Sequence, residues 1–319
     1  MTPLILDWPS IESALAEVDL LQVMERGFSA YSAGDAVIPP VGELQLQEPP
    51  GDDHIKNGYI RGGAHYVVKI ASGFYDNPAL GLPSSQGVML LFSQTTGTLE
   101  AVLLDEGRLT DIRTGAAGAV AARHLAPADV DMIGVIGTGI QARRQLEQLR
   151  SVTTCRNVVV WGRNEDHLAS YTVDLEEMGF VVERAACPMD VAMRARLIVT
   201  TTPSTQPLIL ADWIQPGTHV TAVGSDTAEK QELDVNLLAR ADVLVADSKT
   251  QCLTRGEIHQ ALAAGVIDET HVFELGAVIM DSTLGRTNED QITIADLTGV
   301  AVQDLETATA VVSAHKRAV

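Results

Sequence analysis

The spacing of apolar residues divides the chain into stretches of different period. Leu21, Met24, Phe28 and Tyr31 recur at helical spacing, and Asp19 with Gln22 three places on makes a capping-box start, which predicts a helix over residues 19–31. Pro39 and Pro40 end that region. Residues 41–104 then carry alternating or β-rich runs, at Leu44–Leu46, Tyr66–Ile70, Val88–Phe92 and Leu99–Leu104, separated by Gly, Asn, Asp and Pro. Gln94–Gly97 reads as a hairpin turn between the last two runs, so an antiparallel sheet is expected here.

From residue 114 the pattern changes again. Thr114–Ala122 is a small-residue helix of the kind that packs closely on its neighbours. Strand-like runs follow at Met132–Ile136, Val158–Trp161, Leu197–Thr200, Val220–Val223 and Val243–Ala246, with helical patterns between several of them, which argues for a parallel, doubly wound sheet. Val302–Val319 is helical again, with Leu305, Ala308 and Val312 on one face, and is expected to return to the first domain. The predicted fold is α/β: a Rossmann domain over residues 127–295, joined to an α+β substrate and dimerisation domain built from residues 1–126 and 296–319 around an antiparallel sheet.

The strand ending at Ile136 runs into Gly137-Thr-Gly-Ile-Gln-Ala142, a GxGxxA turn that opens a helix. Gly137 permits the tight turn, Gly139 lets backbone approach a pyrophosphate, Ala142 allows close helix–strand packing, and the helix N-terminus offers free N–H groups. The second strand of such a unit ends in a carboxylate when a ribose 2′-hydroxyl is bound; here it reads Trp161-Gly-Arg-Asn164, with no acid before Glu165. Arg163 offers a partner for a 2′-phosphate, which favours NADP over NAD.

Composition narrows the partners. In 319 residues, 42 acidic against 22 basic side chains leave a formal charge of −20, a surface that repels phosphate backbones and anionic lipid, so neither nucleic acid nor membrane is expected as a partner. The first residues carry no basic n-region and no long apolar core, which predicts a cytoplasmic chain. Cys155, Cys187 and Cys252 are scattered, and neither they nor the eight histidines follow a metal-ligand spacing, so no metal is expected.

Asp105–Gly118, the glycine turn, Gly224–Asp234, Lys69-Ile-Ala71, Thr96-Gly97 and Asp296–Asp304 resemble, in order and over nearly the whole chain, the ornithine cyclodeaminase/μ-crystallin family. The resemblance implies a dimer that pairs the sheets of two subunits, a small amino or imino acid as substrate, and hydride exchange at its Cα through NAD(P). It makes Lys69 and Arg113 the clamp for the substrate α-carboxylate. Lys69 lies in an otherwise apolar strand, where an unpaired ammonium is costly, and Arg113 is suited to bidentate carboxylate binding.

Asp226 becomes, by the same resemblance, the acid/base residue, and Lys69 shares the catalytic role; Lys230 holds the cofactor or Asp226. Ser84, Gln141, Thr202 and Thr298 match cofactor-contacting positions, and Gly299 adjoins the substrate. Thr114, Ile140, Asn164 and Ser225, with Arg113, complete the expected cofactor set. Glu257 and His259 read as helix-surface residues. One departure stands out: many members carry a third clamp arginine in the early strand, where this chain has Gly42 and Glu43. Its loss removes a charge-assisted hydrogen bond of about 1.5–3 kcal/mol, which Lys56 or Arg61 would have to replace. The expected activity is therefore an imine reductase or amino-acid dehydrogenase, with ornithine cyclodeaminase and a non-catalytic crystallin-like NADPH-binding protein as alternatives.

Overall fold

The computed structural model describes residues 2–74 and 76–318. The chain forms two compact units, Met1–Arg113 with Val300–Val319, and Thr114–Gly299.

The first unit is built on a mainly antiparallel seven-stranded sheet. Its strands lie in the order Leu4–Leu6, Leu99–Leu103, Ser85–Ser93, His65–Gly73, Pro50–Ile60 and Ala36–Val37, with Gly42–Gln47 also paired to Pro50–Ile60. Strand alternation sends Val67, Met89, Leu91, Ala101 and Leu103 into a core shared with Leu305, Ala308 and Val312 of the C-terminal helix Ala301–Ala318. On the other face Val68, Ile70, Val88 and Leu90 stay half-buried, and the Tyr66 and Phe92 rings stack with centroids 4.9 Å apart. The helix read over 19–31 spans Leu20–Ser32, and the Asp19 carboxylate caps it by accepting the Gln22 N–H at 3.1 Å. Gly97 turns the expected hairpin at φ +68°, and its N–H donates to the Ser93 carbonyl at 2.9 Å.

The second unit holds an eight-stranded parallel sheet, in the order Val181–Arg184, Asn157–Trp161, Ile133–Ile136, Leu197–Thr200, His219–Ala222, Thr293–Asp296, Val243–Ala246 and Val272–Glu274. The five strands read from apolar runs are all present within a residue at each end. Thr293–Asp296 escaped notice because its terminal Thr and Asp hide a fully buried central strand. The strand order reverses beside Ile133–Ile136, so the crevice for a ligand opens between the loops after that strand and after Leu197–Thr200. A short parallel pair, Thr205–Ile209 with Gln231–Leu233, follows those loops. The small-residue helix is longer than its alanine-rich centre, running Arg108–Leu125, and the boundary between the units falls inside it. Gly118 is glycine for a reason: a Cβ there would collide with the buried Gln145 side chain.

All three cysteines are free thiols, Cys155 and Cys252 buried and Cys187 half-buried. Among the described residues, no helix is long and apolar enough to cross a membrane.

Candidate functional site

In the second unit, Gly137 and Gly139 line a groove of about 330 Å³ together with Trp161, Arg163, Asn164 and Thr202. Gly137 sits at φ +114°, a conformation that favours glycine, and a Cβ there would also crowd Thr201. At Gly139 the reason is different: an added Cβ would meet nothing within 4 Å, so the backbone is bare toward open space. Gly139 is also the N-cap of helix Ile140–Leu149 and gives it no side-chain hydrogen bond, and the positive end of a helix suits an anion. Arg143 braces the turn from behind. Its Nη1 donates to the Thr138 and Gly139 carbonyls at 2.6 and 3.1 Å, and its Nη2 pairs with Asp174 at 2.5 Å. These features fit a dinucleotide pyrophosphate. Ile140 opens the helix with its side chain 46% exposed, and Gln141 follows it half-buried. Arg163 is exposed at the groove, and the Asn164 side chain caps helix Glu165–Glu177 by accepting the His167 N–H at 2.9 Å.

Other expected residues of this unit stand at the carboxyl ends of its strands. Asp226 follows His219–Ala222, and Lys230 Nζ donates to its Oδ1 at 2.6 Å. Ser225 is buried, its hydroxyl given to the Lys230 carbonyl at 2.7 Å. The Asp247 carboxylate accepts the Thr298 hydroxyl at 3.1 Å and the Gly299 N–H at 2.6 Å, fixing both residues beyond Thr293–Asp296. The Thr114 carbonyl accepts Gln145 Nε2 at 3.0 Å.

In the first unit, Lys56 and Lys69 occupy directly opposed positions on adjacent strands and are both buried. Lys69 Nζ lies 3.3 Å from one carboxylate oxygen of Asp304, while Arg113 Nε donates to the other at 2.9 Å. Arg113 Nη1 also reaches Gln303 Oε1 at 3.3 Å. Burial pushes the Lys69 ammonium down to about 7, partly opposed by Asp304 and reinforced by Arg113 and Lys56. Burial alone would raise the Asp304 carboxyl, yet Arg113, Lys69 and Lys56 outweigh it and hold the group below its ordinary value. Lys56 thus belongs to this cluster, whereas Arg61 is exposed and bonds the Gly34 carbonyl at 2.5 Å. Gly42 and Glu43 are exposed on the outer strand. Ser84 is half-buried just before Ser85–Ser93, where its carbonyl accepts the Phe74 N–H.

Glu257 requires correction. It is 1% exposed, and its carboxylate accepts the N–H groups of Glu232 and Leu233 at 2.7 and 3.1 Å. The helix Gly256–Ala263 is buried from its first turn, so a charged residue there is no sign of solvent. His259 is half-buried and bonds the Leu253 carbonyl. Sequence reasoning also passed over Asp304, which joins Lys69 and Arg113, and Asp247 and Glu232. The signal for Asp304 was present, as the end of the quoted Asp296–Asp304 segment, but an acid in the first turn of a helix reads as an ordinary helix start.

Known proteins resemble this chain over nearly its whole length. An uncharacterized cyclodeaminase of Sinorhizobium fredii is 44% identical over 296 residues, covering 92% of this chain and 89% of its own. An archaeal alanine dehydrogenase, solved as a dimer with bound NAD, superposes with a TM-score of 0.90 at 33% identity, covering 100% of this chain and 97% of its own. The Δ1-pyrroline-2-carboxylate reductase of Thermococcus litoralis, solved with NADH and L-proline, gives 0.91 at 27% identity, with 99% and 98% covered. The family pattern matches residues 1–318, and the chain belongs to the ornithine cyclodeaminase/mu-crystallin family.

Proposed function

We propose that the protein is an NAD(P)-dependent imine reductase or amino-acid dehydrogenase acting at the α-carbon of a small amino or imino acid. The observation that carries this reading is the buried pair of cations, Lys69 and Arg113, sharing one internal carboxylate, in a chain whose other unit presents a bare glycine turn at a groove. A bound nicotinamide dinucleotide supplies hydride exchange at carbon. Lys69 and Arg113 bind the substrate α-carboxylate, with Lys56 in place of the family's third cation. Asp226 exchanges a proton at the substrate nitrogen, held in orientation by Lys230. Lys69, with its ammonium near neutrality, serves as a second proton carrier.

Gly137, Gly139, Ile140 and Gln141 hold the pyrophosphate, and Arg163 takes a 2′-phosphate, so NADPH is preferred to NADH. Equilibrium titration with each reduced nucleotide tests that preference; tighter binding of NADH rejects it. The half-exposed apolar sheet face of the first unit, with Tyr66, Val68, Ile70 and Phe92, supports assembly as a homodimer. The setting expected is the cytoplasm.

The activity is tested by mixing protein, NADPH or NADH, and pyrroline-2-carboxylate, and following reduced-nicotinamide absorbance. Steady consumption supports the reductase. The similarity to a cyclodeaminase favours a second reading, the conversion of ornithine to proline and ammonia. Ammonia release from ornithine without net cofactor consumption would replace the first reading with that one. Binding of nucleotide without turnover of any imino or amino acid would leave a crystallin-like binding protein.

A further inference from the structure

Glu232 lies on the short strand Gln231–Leu233, is 0% exposed, and contacts two loops at once. One carboxylate oxygen accepts the Thr202 N–H at 2.5 Å; the other accepts the Thr200 hydroxyl at 2.8 Å and the Gly224 N–H at 2.9 Å. Thr202 lines the groove, while Thr200 ends the strand beneath it and Gly224 leads to Ser225 and Asp226. The approach is close enough that a Cβ on Gly224 would strike both the Thr202 backbone and the Glu232 carboxylate. Glu257 fixes Glu232 in turn by accepting its N–H, so the carboxylate is held from behind.

We infer that Glu232 is a positioning residue for nucleotide binding, its carboxylate fastening the Thr201–Ser204 wall of the groove to the segment that carries Asp226. This rests on the dinucleotide reading given above. Three donors converge on two oxygens, and only the ionised carboxylate accepts all three without turning one of its oxygens into a donor. Burial opposes that form, pushing the Glu232 carboxyl up to about 7 against the pull of its hydrogen bonds. The charged groups around it are Glu257 on Gly256–Ala263, then Asp296 and Asp247 beyond, with Lys230 and Asp226 on the preceding loop. Nucleotide affinity therefore rises as pH passes upward through about 7. His167 also lines the groove.

The test uses the protein and NADH, whose pyrophosphate does not titrate in this range, with Kd read by fluorescence between about pH 5.5 and about 8.5. Wild type is expected to bind more tightly as pH rises. Glu232→Gln keeps the shape but turns an amide N–H toward the Gly224 N–H; Kd is expected to rise by about tenfold or more and lose its pH dependence. Thr200→Val removes one donor to the ionised form outside the groove, and is expected to move the midpoint of the profile upward. Should Glu232→Gln fail to fold, the Thr200→Val midpoint decides alone. An unchanged Kd and profile in the folded Glu232→Gln protein, or an unmoved midpoint in Thr200→Val, overturns the inference while leaving the dinucleotide reading intact. Wild-type protein that binds neither NADH nor NADPH at any pH overturns both.

Discussion

Lys69 and Arg113 are bridged by a single buried carboxylate, Asp304, one cation to each oxygen. Both cations were read as a clamp for an external carboxylate, and the internal one orients them before any ligand arrives. Asp304→Asn leaves the buried Arg113 without its counter-charge and pushes Lys69 further toward the neutral amine. Removing one member of such a buried ionic group costs about 3–5 kcal/mol. Urea unfolding at neutral pH should register a loss of that order. A variant as stable as wild type would mean that Asp304 contributes no stabilising charge to the cluster.

The lowered Lys69 ammonium has a signature in stability. Its folded value, about 7, lies below the ordinary 10.5 of the unfolded chain, so between these limits the unfolded state holds the extra proton. Stability from this group is present in full above the unfolded value, declines as pH falls through the window, and is lost once pH drops below about 7. Unfolding free energy measured from about pH 7 to about 9.5 should climb in wild type more steeply than in Lys69→Met. Parallel curves for the two proteins would place Lys69 at its ordinary value.

Gly139 separates a structural role from a ligand role. An added Cβ meets nothing within 4 Å, so Gly139→Val should fold with a melting temperature close to wild type. The same side chain occupies space through which a pyrophosphate must reach the backbone, and NADH affinity should fall by about a hundredfold, the scale of one lost charge-assisted bond. Tight NADH binding by this variant would remove the glycine turn from the nucleotide site.

Asp226→Asn should retain nucleotide binding, because the glycine turn and its N–H groups are untouched. Turnover should drop by about 10²–10⁴-fold, the range for a positioned acid/base group. Lys230 loses its 2.6 Å ion pair in the same variant, so Lys230→Met serves as the comparison. Turnover near wild type in Asp226→Asn would assign proton exchange elsewhere.

Much of the second unit was legible because its buried parallel strands are unbroken apolar runs, as at Leu197–Thr200 and Val243–Ala246. The eleven-residue strand Pro50–Ile60 was not, because Asp52, Asp53, His54, Lys56 and Asn57 give it no apolar period. Its polarity is local chemistry, Lys56 being buried opposite Lys69 and Asp53 accepting the Ser72 hydroxyl at 3.0 Å. The cations of the site could be named from sequence, since a lysine in an apolar strand is conspicuous. The carboxylates that position the loops could not. Glu232, Glu257 and Asp247 bind backbone N–H groups brought near by folding alone, and no spacing along the chain records that.

The three free thiols differ enough to be told apart chemically. Cys252 is 1% exposed, and burial raises its thiol well above the ordinary value; Cys155 is 7% exposed and raised in the same direction. Cys187 is only half-buried, just before helix Pro188–Arg194. A maleimide dye used at limiting ratio should therefore mark one position in the native protein, giving a fluorescent reporter on the second unit without removing any cysteine.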